Sequence, residues 1–244
     1  MANLFLIRKT KALFMKWQLH RLFKPFTGFM LNAVYMTRLS KWRKDTPVKG
    51  YNDWYCSNWD YSRRENLYEA LCKQEHIDTE AIDYLEFGVS SGASFKYWLN
   101  RNKNANTRFY GFDTFEGLPE NFGPFGKGSM ANTIESLEIT DPRAVFYKGL
   151  FQDTLIPFLD QFPNSRRKVI HMDADIFSAT LFTLSQLHRF LKKDDIILFD
   201  ELAVPTHEFM ALDMYTKCFY PEYEVIAAAN NYLFVAIKML KDGE

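Results

Sequence analysis

From Ile82 onward the chain alternates between two hydrophobic rhythms. Short runs in which most positions are apolar occur near 82–87, 107–113, 144–148, 167–173 and 195–200, with apolar residues three or four apart in the stretches between them. The first pattern predicts strands buried on both faces and the second predicts helices. Their alternation predicts an α/β fold: a Rossmann-like, doubly wound, mostly parallel sheet whose right-handed crossovers put helices on both faces. The tail breaks the rhythm. After a helix near 205–218, two apolar runs at 223–228 and 232–238 flank Asn230-Asn231, which predicts a closing antiparallel hairpin.

Upstream of Ile82 the pattern is less regular. Within residues 10–26, Leu19, Leu22, Phe23 and Phe26 recur at helical spacing beside Lys16, Arg21 and Lys24, the pattern of an amphipathic basic helix. Residues 44–58 contain Asp45, Pro47, Gly50 and Asn52 and read as a linker, before a helix carrying Leu67, Ala70 and Leu71. The expected organisation is a basic N-terminal helical extension over residues 1–50 and one domain over 51–244.

Composition adds little to this, and charge adds more. With 244 residues, 47% of them hydrophobic, the chain can bury one large core. Its net charge of zero conceals a segregation: residues 1–44 hold ten Lys or Arg and no acid, leaving twenty bases against thirty acids in the rest. Such an arm expects an anionic partner: a lipid surface contacted peripherally, a polyanion, or the acidic face of its own domain. Packing of the arm's aromatics against the domain, or in a homodimer, is the other expectation. The apolar stretch at 26–36 is interrupted by Thr27, Gly28 and Asn32 and is too short to span a bilayer. The first residues have apolar side chains ahead of their charges, so no cleaved leader is expected. Three scattered cysteines without a Cys-x-x-Cys give neither a disulfide framework nor a zinc site, and a cytoplasmic location is expected.

The candidate chemistry gathers at the predicted strand ends. Residues 84–92, Tyr-Leu-Glu-Phe-Gly-Val-Ser-Ser-Gly, run from a strand through small residues into a helix, a cradle for a nucleotide-like ligand. Their Glu-x-Gly-x-x-x-Gly spacing differs from the Gly-x-Gly-x-x-Gly of a pyrophosphate site, which favours a ligand without phosphate. About twenty residues beyond Gly92 the next strand ends in Asp113, where ribose hydroxyls would sit. The long loop 114–130, rich in Gly and Pro, is either a lid or a surface connection, with Phe115, Phe122 and Phe125 available to exclude water. His171, Asp173 and Asp175 end the fourth run, and Asp200 and Glu201 end the fifth, so four carboxylates converge. By strand alternation His171 shares a face with Asp173, which makes it a candidate general base, with His207 as its rival.

Three of these stretches, 84–89, 110–120 (Tyr-Gly-Phe-Asp-Thr-Phe-Glu-Gly-Leu-Pro-Glu) and His171-Met172-Asp173-Ala174-Asp175 with Phe199-Asp200-Glu201, resemble the class I S-adenosylmethionine-dependent methyltransferases, most closely the macrocin O-methyltransferase type. The resemblance spans roughly residues 80–240. It implies that S-adenosylmethionine is held by Glu86 at its ammonium group, by Gly88, Ser90 and Gly92 at the turn, by Asp113 and Thr114 at the ribose, by Gln152 at the adenine, and by Asp173. It implies catalysis by His171, Asp173 and Asp175. A Mg²⁺ ion on Asp173, Asp175, Asp200 and Glu201 would orient the acceptor hydroxyl. The implied reaction is O-methylation of a sugar or other small molecule. The alternative is a non-catalytic relative that uses the same crevice as a binding module. Nucleic acid is a poor partner for so acidic a body.

Overall fold

The computed structural model describes residues 2–243. Three helices open the chain: α1 (Ala2–Lys16), α2 (His20–Phe23) and α3 (Thr27–Asp45). Then follow β1 (Val48–Asn52), α4 (Arg63–Glu75), β2 (Ile82–Phe87), α5 (Ala93–Arg101), β3 (Arg108–Asp113), β4 (Ala144–Lys148) and α6 (Phe151–Leu159). The chain ends with β5 (Arg167–Met172), α7 (Phe177–Leu187), β6 (Ile196–Phe199), α8 (Glu208–Phe219), β7 (Tyr223–Ala229) and β8 (Phe234–Met239). The eight strands form one sheet in the order β1-β7-β8-β6-β5-β2-β3-β4. Only β8 runs against its neighbours, and the other pairings are parallel. The fold is the expected mostly parallel Rossmann-like sheet with an antiparallel C-terminal strand.

Helices cover both faces because the central strands are apolar on both. All six residues of β2 and all four of β6 are buried. One face packs against α3, α6, α7 and α8 through Phe158, Leu184, Leu212 and Tyr215. The opposite face packs against α4 and α5 through Leu67, Leu71, Phe95 and Trp98. The turn between β7 and β8 is made as the sequence predicts, with Asn230, Asn231 and Tyr232 all at positive φ. The asparagine side chains also accept the amides of Asp60 and Cys56, which ties the 53–62 loop to this turn.

Two expectations are corrected here. Residues 44–58 are not a linker, since β1 lies among them and pairs in parallel with β7. Gly50 misled because its glycine is a close-approach glycine: a Cβ there would come within 2.4 Å of the Ile226 carbonyl oxygen. Nor do residues 10–26 form one amphipathic helix. Gln18 takes a left-handed conformation at φ 51°, so α1 ends at Lys16 and the chain restarts in α2 and a short 3₁₀ turn. The C-terminal half of α3 belongs to the domain: Tyr35 is buried, and Trp42 packs edge-on against Phe209 and donates to the Tyr223 hydroxyl at 3.1 Å. No helix among the described residues is long and apolar enough to cross a membrane.

Candidate active site

The order of strands reverses between β2 and β5, and in open α/β sheets ligands bind at that point, beyond the carboxyl ends of the strands. Register assembles the site there. Phe87 pairs with Phe112 on one side and Met172 on the other, and Met172 pairs with Phe199. The residue after each therefore lands in one row: Gly88, Asp113, Asp173 and Asp200. Backbone bonds continue the ladder one step, from Gly88 N–H to Phe112 C=O at 2.9 Å, Asp173 N–H to Phe87 C=O at 2.9 Å and Asp200 N–H to Met172 C=O at 3.0 Å.

Above this row lies a cavity of about 480 Å³. Of the residues expected to hold cofactor, Gly88, Ser90, Asp113, Thr114, Gln152 and Asp173 line it, and Glu86 and Gly92 do not. Asp113 orders the cradle, accepting the amides of Ser90 at 2.8 Å and Phe115 at 2.6 Å, while remaining on the cavity wall. Gly88, at φ +98°, is required for a reason internal to the protein: a Cβ would sit 1.9 Å from the Asp173 carbonyl oxygen. Gln152 stands exposed at the start of α6, beside Leu150 and Phe151 on the same wall.

Glu86 and His171 lie beneath the cavity. Glu86 is fully buried and accepts hydrogen bonds from Ser94 Oγ at 2.8 Å and from the Tyr84 hydroxyl. His171 is 1% exposed, with Nδ1 2.9 Å from the Tyr84 hydroxyl and Nε2 3.5 Å from Asp200 Oδ1. Burial works against charge on this ring, but Asp200 and Glu86 outweigh it and lift its pKa to about 10. Held in this way toward its charged form, the ring has no free lone pair with which to take a proton. His171 also lies outside the set of residues that line the cavity, which counts against the expected histidine base. The rival His207 is half-buried against the Phe122 ring, burial holds its pKa down, and it does not line the cavity.

Sequence reasoning missed Arg64. It reaches from the first turn of α4 to the cavity wall and forms a close ion pair with Asp200. Its signal was a helix start read only for its apolar positions. Also missed was Glu208, fully buried, which accepts the Glu201 amide at 2.9 Å and fixes the turn after β6.

The metal expectation fits this arrangement poorly. The groups that come within 4.8 Å of one another are His171, Asp173 and Asp200, without Asp175 or Glu201. Arg64 and the His171 imidazolium already neutralise Asp200, whereas Mg²⁺ requires an open set of oxygen ligands. The other three carboxylates adapt by holding protons more tightly. Burial and then Asp200 push the Asp173 carboxyl well above the usual range and raise Asp175 to about 6; burial and then Asp175 raise Glu201 to about 7. All three line the cavity.

The 114–130 loop is an ordered cover. Leu118 and Ser129 face each other through a 2.9 Å amide-to-carbonyl bond, and Gly117 passes so close to Gly128 that a Cβ would lie 2.4 Å from its carbonyl oxygen. Leu118 and Phe122 pack with Ile176 into a small apolar cluster beside the cavity. Of the expected water shields, Phe122 serves here, Phe115 is buried against Phe146 in the core below the sheet, and Phe125 stays 44% exposed.

Residues 85–202 match a protein family described as a methyltransferase domain. No curated protein sequence matches the chain. Among solved structures, the calicheamicin methyltransferase CalS11 is 22% identical with TM-score 0.55, over 73% of this chain and 78% of that one. The O-methyltransferase NovP is 20% identical with TM-score 0.58, over 73% and 80%. An O-methyltransferase from Bacillus cereus, solved with SAH, is 13% identical with TM-score 0.51, over 87% and 91%. At these identities the likeness is one of fold. The match to a methyltransferase domain covers residues 85–202, just under half of the chain, and the strand order with a crevice at its reversal is the Rossmann-like arrangement that these neighbours share.

Proposed function

We propose that the domain methylates a hydroxyl oxygen of a sugar or similarly hydroxylated small molecule, with Glu201 as the proton acceptor. The observation that carries this reading is the pair of cavity carboxylates Asp175 and Glu201, with pKa values of about 6 and 7, on the same wall as the cofactor cradle. A base that titrates near neutrality is matched to deprotonating a hydroxyl as it attacks. S-adenosylmethionine would lie along Gly88, Ser90 and Asp113, with Asp113 at the ribose and adenine toward Leu150, Phe151 and Gln152. The acceptor oxygen then forms its bond to the methyl carbon as the sulfur–carbon bond breaks. The sulfonium leaves as a neutral thioether, and the hydroxyl proton passes to Glu201. Most of the acceleration comes from aligning oxygen, methyl and sulfur.

A polar acceptor suits this wall, where Arg64, Asp175, Glu201 and Ser178 offer both donors and acceptors. The comparison with CalS11, a TDP-rhamnose 3'-O-methyltransferase, supports a sugar. The Mg²⁺ expectation is not part of this reading, because Arg64 and His171 already supply the positive charge at Asp200. Titration with S-adenosylhomocysteine followed by methyl transfer to a panel of nucleotide sugars and free glycosides tests it. Binding without transfer to any hydroxylated acceptor would leave a binding module in place of an enzyme.

A further inference from the structure

Residues 4–36 leave an unusual surface. Among the described residues, fifteen of the twenty-six exposed large apolar side chains lie between Leu4 and Met36. No side chain from Leu4 to Val34 is buried. Phe5 is 71% exposed and Phe29 is 78% exposed. Scattered apolar residues are ordinary on a protein surface, but a contiguous concentration marks a binding face. The same segment, extended to residue 44, carries ten Lys or Arg and no acid. On α1, Leu6 and Leu13, and likewise Ile7 and Phe14, recur seven residues apart on one side, while Arg8, Lys9 and Lys16 occupy other positions around the helix.

We propose that residues 4–36 dock on the headgroup region of an anionic lipid bilayer. Such an interface meets both demands at once, since acyl chains receive Phe5, Phe14 and Phe29 while phosphates receive the cations between them. A second copy meets them less well. Pairing arm with arm would bring two sets of cations together with no acid on either side. Pairing arm with the acidic body would leave the phenylalanines on a polar surface. The ion pair between Arg38 and Asp213, 2.8 Å long, and the packing of Trp42 fix the C-terminal half of α3 to the domain. The domain is thereby carried at the surface while α1, α2 and the first turns of α3 engage it. Because no described helix can cross, the contact is peripheral.

The test is flotation of the full chain with vesicles, comparing an equimolar mixture of phosphatidylcholine and phosphatidylglycerol with phosphatidylcholine alone. Binding should favour the anionic vesicles and weaken as salt rises. Replacing Arg8, Lys9 and Lys11 together by Gln should weaken it roughly a hundredfold. Phe5→Ser with Phe29→Ser should abolish it, while affinity for S-adenosylhomocysteine stays unchanged in both variants. That last reading separates failure of the docking from failure of the transferase assignment. Equal binding to neutral vesicles, or none to either, overturns the proposal. So does a dimer at micromolar concentration that Phe29→Ser dissociates, which would identify a second copy as the occupant.

Discussion

The Tyr84 hydroxyl lies 2.9 Å from His171 Nδ1 and donates its own proton to Glu86, joining the middle of β2 to the carboxyl end of β5. With Ser94 at one end and Arg64 on Asp200 at the other, this is a chain of polar groups whose ends reach the cavity wall and whose middle lies buried beneath it. Its members are bonded to one another, which makes each costly to remove singly. Tyr84→Phe should leave both the imidazolium N–H and a Glu86 oxygen short of a partner, and lower stability by about 1–3 kcal/mol. Urea unfolding measures this, with Tyr68→Phe as the milder comparison because its hydroxyl stands 3.5 Å from His171 Nε2.

The charge on His171 carries a pH signature. Its folded pKa of about 10 lies above the ordinary imidazole value of 6.5, so the stability it contributes is full below that value and is lost as pH rises through about 10. The unfolding free energy should therefore fall from neutral pH toward pH 10, and fall less in His171→Gln. Should that variant not fold, the ring resonances of His171 in the intact protein serve instead: they should stay constant across about pH 5–8, where an ordinary imidazole titrates.

Much of the scaffold was legible from sequence because it rests on local signals. The apolar runs at 82–87 and 195–200 are buried strands, and Asn230-Asn231 supplies the left-handed turn. The strand-end acids were legible too, since parallel register places the residues after Phe87, Phe112, Met172 and Phe199 side by side. Which way each acid faces was not legible. Glu86 stands two positions before Gly88, yet its carboxylate is buried in the Tyr84–His171 chain and only Gly88 reaches the cavity wall. Arg64 and β1 were missed for one reason: each is defined by a partner over a hundred residues away, Asp200 and β7, and nothing nearby in sequence announces either.

Glu201 should set the pH dependence of transfer. As the base it must be unprotonated, so the rate should fall as pH drops below about 7, the value to which burial and Asp175 raise its carboxyl. Glu201→Gln should lower kcat by roughly 10²–10⁴-fold and remove that limb of the profile, with S-adenosylhomocysteine affinity unchanged. A limb that persists in the variant would move the role to Asp175.

The N-terminal helices divide at a point the structure defines. A chain beginning at Thr27 discards residues of which none among those described is buried, and should unfold at the same temperature as the full chain. A chain beginning at Tyr51 also discards Tyr35, Trp42 and most of β1. Truncating a large aromatic in a core alone costs about 3–5 kcal/mol. That shorter chain should be insoluble or melt far earlier, and thermal denaturation of the pair settles where the domain starts.

Arg64 decides whether a divalent ion has work to do. Asp200 is buried and would repel Asp173 and Asp175 if left alone, but the guanidinium and the His171 imidazolium already flank it. Removing one partner of a buried pair leaves an uncompensated charge, at about 3–5 kcal/mol, so Arg64→Met should be strongly destabilised near neutral pH. Arg64→Met with Asp200→Leu, which removes both charges, should recover much of that loss. Methyl transfer by the unaltered protein should survive exhaustive chelation, since the positive charge at this position is covalently part of α4. If chelation instead abolishes transfer and Mg²⁺ restores it, then Arg64 must swing off Asp200 when the ion enters. In that case Mg²⁺ should partly rescue the stability of Arg64→Met, by putting two charges where the guanidinium had put one.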